Sequence, residues 1–519
     1  MRSSSRTSKT KGTSSRRGKT PSFTCEIPLR VTRRQEKKLE ARFEAAWQLY
    51  NALLGEAKRR LALFRQSIWY TKARQTKDEG ERRAHFAAAR TAYGFSSGAL
   101  EAVADGMRRD TWLGDHIDSH VEQKLAARAF AAVDKVAKGK AKDVRFKGRR
   151  GMHSLEGKTN AACIRWREDR VLWNGLELPM AKAAGRDPVI VHGLSSRVKY
   201  VRLVRREIRN RTRYVAQLVC EGFPYRKPRH AVGTETVGLD IGPSTIAVVG
   251  ETQASLELFC EPVARDHKRI RRLQRKLDRQ RRANNPDCYA GQGRAIKGKR
   301  PTRKSRRQQD TQAKLAELFR REAAHRKALH GQMANRIIAI GTDIHTEKLS
   351  YRGFQKMYGK SISVRAPRTF LSILTRKAES AGGSVDEFST RTTALSQVCL
   401  CGQKHKKRLS LRVHACDCGV VMQRDLFSAY LARHVKDNLL QVTEARVPWS
   451  GAEPLLRAAW EQATTNQPAS GRRKPTSFGA FVRPSQSGSS EEESVPMHEA
   501  SDAVAKAQAC ARADESAAV

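Results

Sequence analysis

Three acidic residues and four cysteines stand in patterns that suit metal chemistry. In VGLDIGPSTIAVVG, residues 237–250, two β-rich runs at 236–240 and 245–249 flank Gly242-Pro243-Ser244, which reads as a hairpin turn. Asp240 interrupts the first run near its end. Burying a lone carboxylate there is costly unless something neutralises it, and a divalent cation does so. The competing use of such an Asp is to bond its own turn. In IIAIGTDIHTEKLS, residues 337–350, a short run at 343–346 ends on Glu347, while Asp343 at its start reads as a turn or cap residue. In QRDLFSAYLARHV, residues 423–435, Asp425 opens a helix whose apolar face is Leu426, Ala429, Tyr430 and Ala432. The helix macrodipole alone would favour an acid in that first turn.

The cysteines lie in SQVCLCGQKHKK, residues 396–407, and HACDCGVV, residues 414–421. Two pairs at this separation read as a structural Zn²⁺ site with Cys399, Cys401, Cys416 and Cys418 as ligands. Each pair is C-x-C where a zinc knuckle has C-x₂-C, and His405 and His414 are close enough in sequence to replace a thiolate. Cys25, Cys163, Cys220, Cys260, Cys288 and Cys510 read as free thiols. There is no P-loop and no H-E-x-x-H motif.

The elements that must position these groups are partly visible. A strand at 23–31 runs into Thr32-Arg33-Arg34-Gln35, a capping box, followed by a helix with Leu39, Phe43, Trp47, Tyr50 and Leu54 on one face. Helical patterning continues to about residue 138, and 144–222 is β-rich and punctuated by arginine. Residues 268–282, KRIRRLQRKLDRQRR, hold nine Lys or Arg around a narrow Ile270, Leu273, Leu277 stripe. Such a helix rests on a core by its stripe and offers the rest to a polyanion, with Lys268, Arg269, Arg271, Arg272, Arg275, Lys276 and Arg279 as candidate contacts. A second helix follows with Leu315, Leu318, Phe319, Leu329, Met333 and Ile337 facing inward.

Composition sets the partner class. The 519 residues carry 101 Lys and Arg against 52 acids, a net charge of +49. Self-repulsion on that scale opposes compaction, so the chain is expected to bind nucleic acid. No run of 18 apolar residues offers a membrane span, and the first 20 residues, with seven Lys or Arg and no apolar run, are unlike a signal peptide. A reducing, cytoplasmic bacterial setting is expected. Residues 1–20 read as a disordered basic arm, and the low-complexity character from about 464 onward as a tail.

In order and character, VGLDIG, HTEKLS and QRDLFSAYLA resemble the three split motifs of RuvC-like nucleases. With a cysteine ribbon between the second and third, residues 23–435 are similar to TnpB, the transposon-encoded RNA-guided nuclease, and to the compact type V CRISPR effectors. The long helical segment before Gly139 favours a CRISPR effector slightly.

The resemblance implies an α+β multidomain chain with a ribonuclease-H-like core. Asp240, Glu347 and Asp425 would hold two Mg²⁺ ions and the ribbon one Zn²⁺. It implies a β-rich wedge domain at 21–35 and 139–230, with a helical recognition lobe at 36–138 inserted in it. RuvC-like parts would lie at 231–262, 331–395 and 422–440, a basic bridge helix and its followers at 263–330, the zinc ribbon at 396–421, and a low-complexity tail at 441–519. The implied partners are a guide RNA and target DNA, and a homodimer is compatible with the sequence without being predicted by it. The competing functions are a nucleic-acid-binding regulator that cuts nothing and a guide-free nuclease or resolvase using the same acids.

Overall fold

A computed structural model describes residues 20–209, 211–261, 263, 267–291, 293–298, 301–408, 411–465 and 478. The basic arm expected at 1–20 lies outside them except for Thr20.

The N-terminal half is one mixed core. Strand β1 (Ser22–Pro28) leads into helix α1 (Arg33–Gln66), whose N-terminus carries the expected capping box: Thr32 accepts from the Gln35 N–H, and Gln35 accepts from the Thr32 N–H. Helices α2 (Ile68–Gln75), α3 (Glu79–Ala92), α4 (Ser97–Arg109) and α5 (Ser119–Ala137) follow. Next come β2 (Ser154–Glu156), a three-stranded meander of β3 (Arg165–Arg167), β4 (Arg170–Trp173) and β5 (Leu176–Pro179), the short helix α6 (Pro188–Ser195), and the long hairpin β6 (Val198–Ile208) and β7 (Arg211–Glu221). The first strand returns to this hairpin in the order β1-β7-β6-β2. Leu39, Phe43, Leu49, Leu53, Leu125, Leu203 and Leu218 share its core, so strand and helix faces bury each other.

The C-terminal half is built on a five-stranded sheet. Strands β8 (Thr236–Ile241), β9 (Thr245–Val249) and β10 (Ala254–Leu258) form an antiparallel meander, with Gly242 to Ser244 as the tight connection anticipated. Helix α7 (His267–Asn284) and the long helix α8 (Arg306–Ile340) then precede β11 (Asp343–Glu347), which pairs parallel with β8. Helices α9 (Tyr351–Arg365) and α10 (Pro367–Ser380) carry the chain to β12 (Ser384–Phe388), parallel to β11 at the sheet edge. The order is β10-β9-β8-β11-β12.

One face of this sheet packs on α8 and α10 through Val237, Leu239, Ile344, Ile337, Phe370 and Leu374. After the one-turn helix α11 (Thr390–Thr393), a cysteine-bearing segment with strands β13 (Val413–Ala415) and β14 (Val421–Gln423) feeds helix α12 (Arg424–Ala432). Helix α12 covers the other face with Leu426, Ala429 and Tyr430 buried beside Ala247 and Val249.

Two expectations need correcting. The low-complexity tail does not begin at 441: helices α13 (Val442–Arg446) and α14 (Trp449–Thr465) fold against α12 and β10, with Leu456 and Trp460 fully buried. The Trp460 indole N–H donates to the Phe478 carbonyl. Residues 466–477 and 479–519 lie outside the described residues. On α8, Leu315, Met333 and Ile337 are buried as expected, but Phe319 is 45% exposed. Phe319 follows Leu318, which completes the small core with Ile270 and Leu277, and one step round the helix turns it to solvent.

Candidate active site and metal centre

Asp240 is the fifth residue of β8, Glu347 the last residue of β11, and Asp425 the second residue of α12. Since β8 and β11 run parallel, with Thr346 beside Leu239, both acids sit at the same end of the sheet. Helix α12 starts over that end because Gly238 lets it approach. A Cβ at Gly238 would lie 1.9 Å from the Ala429 carbonyl oxygen, so any side chain there would force α12 away. Sequence reading passed over this glycine, although the motif VGLDIG displays it.

The three acids feel one another. Burial raises the Asp240 carboxyl well above its ordinary value, and the charges of Asp425 and Glu347 raise it further against the opposing pull of Arg424 and Arg412. Burial also raises Glu347, while the Leu395 N–H donates to it and lowers it. Asp425, nearly inaccessible, accepts from the Thr245 hydroxyl at 3.3 Å and faces Arg424 at 3.3 Å and Arg412 at 3.7 Å. Thr245, Arg412 and Arg424 were not singled out from sequence; only Arg424, adjacent to Asp425, had a local signal.

Two tighter groups of ligand-type side chains, with atoms within 4.8 Å of one another, occur among the described residues: Cys399, Cys401, Cys416 and Cys418, and Asp343, His345 and Asp386. Asp240, Glu347 and Asp425 converge more loosely than either. Their all-oxygen donor set, together with the repulsion at Asp240, fits a hard divalent cation.

All four predicted cysteines come together. Cys399 Sγ lies 3.5 Å from Cys418 Sγ, and Cys401 Sγ lies 3.6 Å from Cys416 Sγ. The short C-x-C spacing works because each pair is followed by a glycine with positive φ, Gly402 at 86° and Gly419 at 90°. Their N–H groups donate back to the Cys399 and Cys416 carbonyls at 2.9 and 3.0 Å, closing two matching tight turns. Burial and the neighbouring thiols push the Cys399 thiol strongly up, a cost that a cation replacing the protons removes.

The two histidines differ. His405 Nε2 approaches Cys416 Sγ at 3.4 Å, whereas His414 turns away, its ring 4.4 Å from that of Phe427. Burial lowers His414 to about 4, so it stays neutral. From α13, Arg446 donates two hydrogen bonds to the Leu400 carbonyl, the middle residue of the first C-x-C, at 2.6 and 3.0 Å.

The seven basic residues proposed on α7 are all exposed, while Ile270 and Leu277 are buried against Leu315 of α8. Arg145, Arg149 and Arg150, from the basic run at 145–150, are exposed as well.

A family model described as Cas12f1-like, TNB domain, matches residues 368–431, from α10 through the cysteine segment into α12. The chain is similar to the compact type V and TnpB-like effectors. Among solved structures, one described as a Cas12f1–sgRNA–target DNA complex aligns at 11% identity over 79% of this chain and 98% of that one, with a TM-score of 0.42. Another, described as a CRISPR–Cas12f ternary complex, aligns at 12% identity over 78% and 86%, with a TM-score of 0.24. No curated protein matches. No helix among the described residues is long and apolar enough to cross a membrane.

Proposed function

We propose that the chain is an RNA-guided DNA endonuclease with a RuvC-like core, in which Asp240, Glu347 and Asp425 hold two Mg²⁺ ions. The observation that carries this reading is the convergence of three carboxylates, from segments far apart in sequence, at one end of the central sheet. The Cas12f1-like match over 368–431 supports it, since such proteins are in general RNA-guided nucleases. When bound, the two cations stabilise charge on the attacking and leaving oxygens of a phosphodiester.

The chain's own residues prepare the site for that charge. The Thr245 hydroxyl orients Asp425, and Arg412 and Arg424 balance its charge. In this reading Cys399, Cys401, Cys416 and Cys418 would hold a structural Zn²⁺ and so fix β13 and β14, from which α12 begins. Guide RNA and target DNA would lie along the exposed arginines of α7, the sequence being read by base pairing. The sheet of β1, β7, β6 and β2 would serve as the wedge and α1 to α5 as the recognition lobe.

The test is Asp240→Ala, purified with its guide RNA. Mg²⁺-dependent cutting should fall roughly a thousandfold or more, the loss of several kcal/mol of transition-state stabilisation. Guide and target binding should persist, because that affinity is distributed over many basic contacts and base pairs. Near-normal cutting by a folded variant would overturn the reading.

A further inference from the structure

We propose that Asp343, His345 and Asp386 form an additional divalent-cation site, of the one-histidine, two-carboxylate class that suits Zn²⁺, at the sheet edge away from the nuclease carboxylates. The three side chains bring one ligand atom each to within 4.8 Å of one another. Strand alternation puts Asp343 and His345 on one face of β11, and the parallel register sets Asp386 of β12 directly beside His345. Glu347, at the other end of β11, is four residues or about 13 Å along the strand from Asp343, and two residues or about 7 Å from His345. The nuclease site and this one therefore share a strand but no ligand.

The histidine is prepared in the way metal ligands are. His345 Nδ1 lies 3.2 Å from the Ala432 carbonyl of α12. A carbonyl only accepts, so Nδ1–H donates to it, and this contact fixes the ring with Nε2 turned toward the two carboxylates. Nε2 lies 3.5 Å from Asp343 Oδ1, in a side chain only 12% exposed. Fixing one ring nitrogen on a backbone carbonyl leaves the other free to coordinate. Asp343 is itself oriented, with hydroxyls of Thr236 and Ser384 donating to its two oxygens at 3.5 and 3.4 Å.

Charge supplies the second argument. A His–Asp pair needs no cation, but Asp386 adds a second carboxylate to one imidazole. Among the described residues no Lys or Arg pairs with Asp343 or Asp386, in a chain whose net charge is +49. The nearby Arg433 is committed to the Thr236 carbonyl at 3.0 Å and to Glu251 at 3.3 Å. Two carboxylates without a Lys or Arg partner, set around an imidazole whose other nitrogen is fixed, offer one nitrogen and two oxygen ligand atoms to a cation. The nitrogen ligand disfavours Mg²⁺ and Ca²⁺ and suits Zn²⁺. A bound ion would clip edge strand β12, which leads into the cysteine segment, onto β11.

The experiment is equilibrium dialysis of the full-length protein against Zn²⁺, with bound metal counted by mass spectrometry. The parent should bind one equivalent more than Asp386→Asn and one more than Asp343→Asn. The same difference should appear in an Asp240→Ala background, which separates this site from the nuclease reading. Both variants keep the shape of an exposed side chain. For the unmodified protein, X-ray absorption on the equivalent that binds after the cysteine site is filled should show an imidazole outer shell. Equal stoichiometry in parent and variants, or a shell without imidazole, would overturn the proposal.

Discussion

Asp240 and Gly238, two residues apart on β8, divide the work of the site between charge and space. Asp240 is held with its proton bound more tightly than in an unfolded chain, where the ordinary value is 3.8. A raised acid stabilises the fold fully below that ordinary value, and this contribution is lost as pH rises toward the folded value. At neutral pH without divalent cations the charged site therefore opposes folding. Asp240→Asn, which removes one repelling charge and keeps the shape, should raise stability in Mg²⁺-free buffer by roughly 1 kcal/mol or more. It should also flatten the decline of melting temperature as pH rises above the ordinary value of 3.8. Thermal melts of both proteins across that range test this, and an Asn variant less stable than the parent at neutral pH would refute it. Gly238→Ala leaves every acid in place but drives a methyl group into the Ala429 carbonyl. Cutting should collapse and stability fall by about 1–3 kcal/mol, the usual cost of overpacking. Full activity in that variant would mean α12 need not sit so close.

The cysteine segment and α12 act as a single unit, because Arg424 N–H donates to the Arg412 carbonyl and Arg446 grips Leu400. Such a small unit has little core of its own, so a metal held by its four cysteines would supply much of its folding free energy. Cys416→Ser should release one zinc equivalent and impair cutting, while α1 to α5, with a separate core, remain folded. Metal analysis and cleavage on one preparation check this; zinc content equal to the parent's would refute it. How much of this was legible depended on how local the cause was. The capping box at Thr32, the turn after Asp240 and the α7 stripe are short-range patterns, and each was read from its own residues. The matching glycine turns behind the C-x-C pairs rest on positive φ at Gly402 and Gly419, and the glycines themselves were in view. Helix α14 was missed in part because Pro454 and Gly451 mask its period, while Leu456 and Trp460 are buried by contacts with distant elements. The Asp343, His345, Asp386 group was invisible for the same reason. It is made by strand pairing across 41 residues, so Asp343 alone looked like a turn residue.

At the scale of the molecule, +49 spread over a folded chain is a standing electrostatic load. Surface ion pairs relieve little of it, since each contributes at most about 1 kcal/mol and acids are outnumbered nearly two to one. Helix α7 concentrates the excess. Its stripe is anchored on α8, so Arg271, Arg272 and Arg275 are exposed and free of the small core made by Ile270, Leu277 and Leu315. Replacing those three arginines with Gln should leave the fold intact, because none contributes to that core. It should weaken RNA and DNA binding alike for every sequence, because phosphates carry no sequence information. Each lost phosphate contact should reduce the slope of log affinity against log salt by roughly 0.7–0.9, so three should flatten it by about 2–3. Titrations of parent and variant at several salt concentrations, on two unrelated target sequences, measure both quantities together. An unchanged slope would mean these side chains never meet the backbone, and a loss confined to one target would mean that they read bases instead.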